Sequence, residues 1–161
     1  MSKNVNKPDH YQSNGVKYLS PECIHITRNM NFNLGNAFKY IWRAGKKGDK
    51  CKEIEDACKA LWYVNDYCHF FGETAERNKT AEIIFNMMNF SDDVTEKYRH
   101  DILHDIVFFN CKKVKSGIKN FISHLIWKDF QNASLEEIEK IKSMVGDKDF
   151  PEFTKSISKI N

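Results

Sequence analysis

No run of apolar residues in this 161-residue chain approaches the ~20 needed to cross a bilayer, so a membrane span is not expected. The opening residues, Met1-Ser2-Lys3-Asn4-Val5-Asn6-Lys7-Pro8, are polar and do not read as a signal peptide. The five cysteines, Cys23, Cys51, Cys58, Cys68 and Cys111, form no CxxC or CxxH pair. That excludes zinc-ribbon spacing and leaves packed free thiols in a reducing cytosol as the expectation. Neither GxxxxGK[ST] nor GxGxxG occurs, and Gly45-Lys46-Lys47-Gly48 lacks both the leading glycine and a hydroxyl residue to hold magnesium. HExxH is missing too, and no Ser-His-Asp or Cys-His arrangement can be read from spacing. A net charge of only +3 argues against a general nucleic-acid coat. If the chain handles nucleotides, it does so without the commonest machinery.

What is present suffices for a core. The composition is 41% hydrophobic, with twelve Phe, six Tyr and three Trp, which fits one compact domain or a core module with an extension. The boundary expected for the second case divides a module at 1–72 from a helical extension at 73–161. No strand-like alternation stands out. A hairpin-like possibility remains around Tyr11 to Leu19, within an irregular N-terminal arm at 1–19 that contains Pro8 and Gly15. The fold expected is therefore all-α or nearly so: a small multi-helix bundle paired antiparallel across short loops.

The spacing predicts a first helix capped by Ser20-Pro21-Glu22 and running to about Asn31, with Phe32-Asn33-Leu34-Gly35 as a break. A basic helix follows and stops at Gly45. After a loop at Lys46 to Lys50, a long helix from Cys51 to Phe71 carries Ile54, Ala57, Cys58, Leu61 and Cys68 and ends at Gly72. Thr80 to Phe90 forms a helix. Asp92 or Asp93 caps a longer one carrying Ile102 through Ile126, with Gly117 as a point of interruption. Ser134-Leu135-Glu136-Glu137 is a capping box for a short helix closed by Gly146, and Pro151 begins a last segment.

The basic helix is the most telling stretch. Between Leu34 and Lys52, six cations (Lys39, Arg43, Lys46, Lys47, Lys50 and Lys52) stand against Asp49 alone. At about 100° per residue, Asn36, Lys39 and Arg43 share one side, with Lys46 close by, while Phe38, Ile41 and Trp42 share the other beside Ala37 and Ala44. Cations held by an aromatic anchor suit an anion, phosphate above all, because Arg43 can offer a planar fork and the lysines act as mobile point charges. An equal reading pairs these cations with Glu53, Glu55 or Asp56 of the next helix. On that helix Lys52, Asp56, Lys59 and Tyr63 form a polar stripe away from the apolar set. There Asp56 either orients Arg43 or Lys59, accepts a sugar hydroxyl, or joins a salt-bridged face, which is the plainer reading. His100-Asp101 and His104-Asp105 repeat as HDxxHD. Two histidines one turn apart can ligate a metal, but no matching ligands are visible elsewhere, so they read as surface residues and no metal site is identified. The basic cluster Lys112, Lys113, Lys115 and Lys119 reads as a solvated face.

Pro8-Asp9-His10-Tyr11, Glu22-Cys23-Ile24, the run Leu34-Gly35-Asn36-Ala37-Phe38-Lys39-Tyr40-Ile41-Trp42-Arg43-Ala44-Gly45-Lys46-Lys47, and Asp56-Ala57-Cys58-Lys59-Ala60-Leu61-Trp62-Tyr63 together resemble the SaV-like proteins of tailed bacteriophages. The resemblance covers roughly residues 7–68. It implies a phage protein acting in the host cytoplasm, in a family that includes a podophage enzyme phosphorylating deoxynucleoside monophosphates without a phosphate loop. The family positions carried over are His10, Tyr11, Asn36, Lys39, Tyr40, Arg43, Lys46, Lys47, Lys59 and Tyr63. As a monophosphate kinase, the chain is expected to use ATP or another nucleotide as substrate. Lys39 and Arg43 then clamp phosphates, Lys46 and Lys47 supply field from the loop, Tyr11 or Tyr40 stacks on a base, and His10 makes a proton or hydroxyl contact. Two alternatives stand beside it: a non-catalytic protein that sequesters a nucleotide against host defence, and a helical protein whose second half binds a host target. The apolar stripe from Ile102 to Ile126 suits self-association or burial within one chain.

Overall fold

The computed structural model describes residues 21–72, 78–88, 90, 92–130 and 133–146. Those residues form seven helices and no strand: α1 (Cys23–Thr27), α2 (Phe32–Arg43), α3 (Lys50–Phe71), α4 (Lys79–Asn86), α5 (Val94–Val107), α6 (Cys111–Asp129) and α7 (Leu135–Val145). The N-terminal arm, the hairpin-like stretch, the Ser20 cap and the segment beginning at Pro151 lie outside the described residues.

Side-chain oxygens set most of the starts. Asn31 accepts from Leu34 N at 2.9 Å, Asp49 from Lys52 N at 2.8 Å, Asn78 from Ala81 N at 3.0 Å and Asn110 from Lys113 N at 3.1 Å. Each satisfies a donor that the first helical turn leaves without a partner. Asp93 does the same for α5, and Ser134 with Glu137 forms the expected capping box for α7.

Several expectations fail at such junctions. The first helix starts at Cys23 with Glu22 as its cap, because Glu22 N donates to His25 Nδ1 at 3.0 Å. It ends at Thr27 rather than near Asn31: Asn29 N and Met30 N turn back to Ile26 O and Thr27 O, which tightens the chain into a turn. Phe32 to Gly35 is the first turn of α2, not a break. Gly35 is buried there because a Cβ would sit 3.3 Å from Thr27 O, so the residue lets α1 and α2 approach closely. Similarly, α4 stops at Asn86, where Met87 N and Met88 N bond three residues back. Finally, the single long helix of the second half is two helices broken at Phe108 to Asn110, with Phe109 at φ 27°. Gly117 lies inside α6, facing α5, where an added Cβ would meet Ile102 at 3.2 Å.

One core joins both halves of the chain. Helix α2 packs on α3 and α5, and α3 packs on α6 and α7. Phe38, Ile41 and Ile54 from the first half and Ile102, Leu103, Phe121 and Ile122 from the second all lie fully or almost fully buried in the same cluster. Each such side chain stabilises the fold by about 1.5–3 kcal/mol relative to exposure. All five cysteines are free thiols, and no described helix is long and apolar enough to cross a membrane.

Candidate functional site

The apolar face of α2 is as the sequence implies. Leu34, Ala37, Phe38, Ile41 and Trp42 are buried, which leaves Asn36, Lys39, Tyr40 and Arg43 half-buried along the side next to α3. Tyr40 is the centre of that side. Lys39 Nζ lies 4.7 Å from its ring centroid, Arg43 Cζ 4.9 Å and Lys59 Nζ 5.8 Å, so three cations gather around one aromatic ring. Tyr63 of α3 stacks on Tyr40 at 5.8 Å with an 18° interplanar angle, and Phe32 meets Tyr63 edge-on at 6.0 Å.

Asp56 departs from the expected polar stripe: it is fully buried. Its turn of α3 faces α2, where Arg43 Nε donates to Oδ2 at 2.8 Å and Nη2 donates to Oδ1. Periodicity alone put Asp56 on the outer side because it cannot show that a cation stands opposite. Of its alternative roles, orienting Arg43 is the one seen. The fork holds the guanidinium plane rigidly beside Tyr40. The salt-bridge reading also holds for the next turn, since Glu55 pairs with Lys59 and, at 2.7 Å, with Lys52. Those two hydrogen bonds hold the Glu55 carboxyl below its ordinary value, and the Glu55 bond raises Lys59.

Lys39 and Lys46 differ from these pairs. Lys39 Nζ donates to Asn36 Oδ1 at 2.6 Å, and Asn36 Nδ2 in turn donates to Phe32 O at 2.8 Å. Lys46 Nζ rests over the Trp42 ring at 4.3 Å. Among the described residues neither has a carboxylate within ion-pair distance. Burial lowers the pKa of both; Arg43 adds to the effect at Lys39, whereas Glu96 opposes it at Lys46. Both also act on buried Cys23, whose thiol is nonetheless pushed up to about 12 by burial. Lys47 is exposed on the loop. Seven sequence-predicted residues (Asn36, Lys39, Tyr40, Arg43, Asp56, Lys59 and Tyr63) therefore gather along α2 and α3, Lys46 and Lys47 follow on the loop, and His10 and Tyr11 lie outside the described residues.

Sequence reasoning missed the residue that holds the loop. Arg99 of α5 is buried, and its Nη1 donates to Ala44 O, the carbonyl just past the end of α2. The same guanidinium reaches Glu53 at 3.2 Å and Glu96 at 2.5 Å. A signal existed. Thr95, Arg99, Ile102, Leu103 and Ile106 repeat at helical spacing, which puts a cation at a core position of an apolar stripe. Gly45 adopts φ 74°, and an added Cβ there would fall 2.5 Å from Arg99 Nη1 and 2.7 Å from Glu53 Oε1. Gly45→Ala should therefore cost at least about 1–2 kcal/mol from the left-handed backbone alone. Equilibrium unfolding in urea measures it; an unchanged midpoint would contradict the close approach.

The HDxxHD repeat forms a ring cluster instead of a ligand set. His100 stacks on Phe85 at 5.6 Å and His104 on Phe108 at 4.4 Å, and no group of three metal-ligating side chains occurs among the described residues.

Residues 5–65 match a protein family described as a protein of unknown function, DUF3310. The matched span ends within α3, so it contains Asn36 to Tyr63 and excludes Arg99. No curated protein and no solved structure matches the chain.

Proposed function

We propose that the protein binds a phosphorylated small molecule, a nucleotide, along α2 and the loop that follows it, with deoxynucleoside monophosphate kinase activity in a phage-infected host as its enzymatic form. The observation that carries this reading is the pair Lys39 and Lys46, half-buried cations without a carboxylate partner among the described residues. Keeping a charge partly desolvated is unfavourable, and a phosphate offsets that cost. Arg43, fixed in plane by Asp56, provides a directional anchor, and the Tyr40–Tyr63 stack offers a face for a base. In the kinase form the terminal phosphoryl group of ATP passes to a monophosphate oxygen, ADP leaves, and the acceptor's proton is released. The cations would spread charge off the transferred group.

Binding without turnover is the second reading. It is favoured by Asp56, the buried carboxylate of the site, having both oxygens engaged by Arg43 and so not being placed to meet a substrate hydroxyl.

Calorimetry with deoxynucleoside monophosphates, ATP and inorganic phosphate, beside product analysis with labelled ATP, separates the two readings. Lys39→Gln and Lys46→Gln should each weaken phosphate binding about tenfold, the ~1.4 kcal/mol scale of one lost charge-assisted contact. Both lysines have pKa values below 10.5 in the free protein, and a bound anion raises them. Affinity should accordingly fall with rising pH before 10.5 is reached, with proton uptake on binding in that window. No heat with any ligand, or glutamine variants that bind like the parent, would remove the proposal.

A further inference from the structure

A cavity of about 360 Å³ lies away from the basic face, and Asn29, Asn31, Asn78, Leu34, Tyr67 and Phe109 are among its lining residues. That volume sits at the lower end of the roughly 300–1,000 Å³ typical of small-molecule sites. Among the described residues no charged side chain lines it, so those residues offer an ionised ligand no counter-charge. Beside the Tyr67 phenol, the side-chain amides among the described lining residues are each half committed. Asn31 and Asn78, both exposed at the rim, use Oδ1 to cap α2 and α4, which leaves both Nδ2 groups as donors without a protein partner among the described residues. Asn29 is the reverse: its Nδ2 donates to His25 O at 2.8 Å, which leaves Oδ1 as an acceptor. The Tyr67 and Phe109 rings meet edge-on at 5.0 Å on the wall. Phe109 is the one described non-glycine residue at positive φ, and backbone strain of this kind gathers at ligand sites.

We propose that this cavity binds a small, uncharged, planar cyclic amide or imide. Its carbonyl oxygens accept from Asn31 and Asn78, its ring N–H donates to Asn29, and its flat face lies on the aromatic wall. The site uses none of Lys39, Arg43 or Lys46, so it stands apart from the phosphate reading.

Asn→Asp substitution isolates the recognition chemistry from the fold. Asp caps a helix as well as Asn does, yet offers no donor. Uracil titrated into the isotope-labelled full chain should shift the side-chain amide resonances of Asn31 and Asn78 saturably. Asn31→Asp and Asn78→Asp should each weaken binding several-fold, up to about tenfold, the scale of one lost hydrogen bond to a ligand carbonyl, while the melting temperature holds. Benzene, which fits the wall but cannot accept a hydrogen bond, should bind far more weakly. A parent chain showing no saturable shift with uracil overturns the proposal, as do both aspartate variants binding like the parent, or benzene binding as tightly as uracil.

Discussion

Asp56→Ala should destabilise the protein by about 3–5 kcal/mol, because it leaves the Arg43 guanidinium at the α2–α3 contact without its buried counterion. Asp56 is fully buried and the Arg43 side chain is 11% exposed, so water can replace little of what the carboxylate supplies. Chemical unfolding should show a lower midpoint at an unchanged slope. The double variant Arg43→Met/Asp56→Leu tests the cause. Removing both charges together in favour of apolar groups should recover most of the loss, since burying an ion pair is itself costly. Phosphate binding should stay lost in that double variant although the fold returns. A single Asp56→Ala protein as stable as the parent would show that the pair contributes nothing. A double variant that still binds phosphate would remove Arg43 from the site.

The second large effect belongs to Arg99→Met, expected at about 3 kcal/mol by the same accounting for a broken buried ion pair. It frees the Ala44 carbonyl and removes the cation that faces Glu53 and Glu96. Burial raises the Glu53 carboxyl above 4.5, and Arg99 opposes that rise. Without Arg99 the folded-state value climbs further. An acid whose folded pKa is raised contributes stability below its unfolded value and loses it as pH rises through the folded value. The deficit of Arg99→Met should therefore be largest near neutral pH and shrink as pH falls toward 4.5. Urea unfolding across that range reads the trend, and a deficit independent of pH would contradict it. Arg99→Lys keeps the charge but not the fork, so it should rescue only part. Phosphate binding by the folded Arg99→Met protein should also weaken, because the Lys46 loop loses its anchor.

How far the sequence was legible varies by element. The long α3, its Gly72 end, and the Ser134 box were all readable, because each depends on residues within a few positions; its Asp49 cap falls where the sequence reads as a loop. The start and end of α1, the end of α4 and the break at Phe108 to Asn110 were not. There, competing turn bonds and side-chain caps decided the outcome, and periodicity does not register them. Gly35 and Gly117 misled for one reason: each reads as a breaker in one dimension but serves as a contact point between packed helices. At the candidate site, the half-buried row of Asn36, Lys39, Tyr40 and Arg43 follows from the spacing of α2. The partner of Arg43 does not.

By itself, the sequence determined that this is a helical protein with a cation-rich helix anchored by Phe38, Ile41 and Trp42, since a 3.6-residue repeat sorts apolar from polar side chains locally. Only the tertiary structure decided which cations are neutralised. Asp56 lies thirteen residues from Arg43 and Arg99 lies fifty-five from Ala44, and packing α2 against α3 and α5 brings them together. Charge pairing depends on distance through space, which no local repeat encodes.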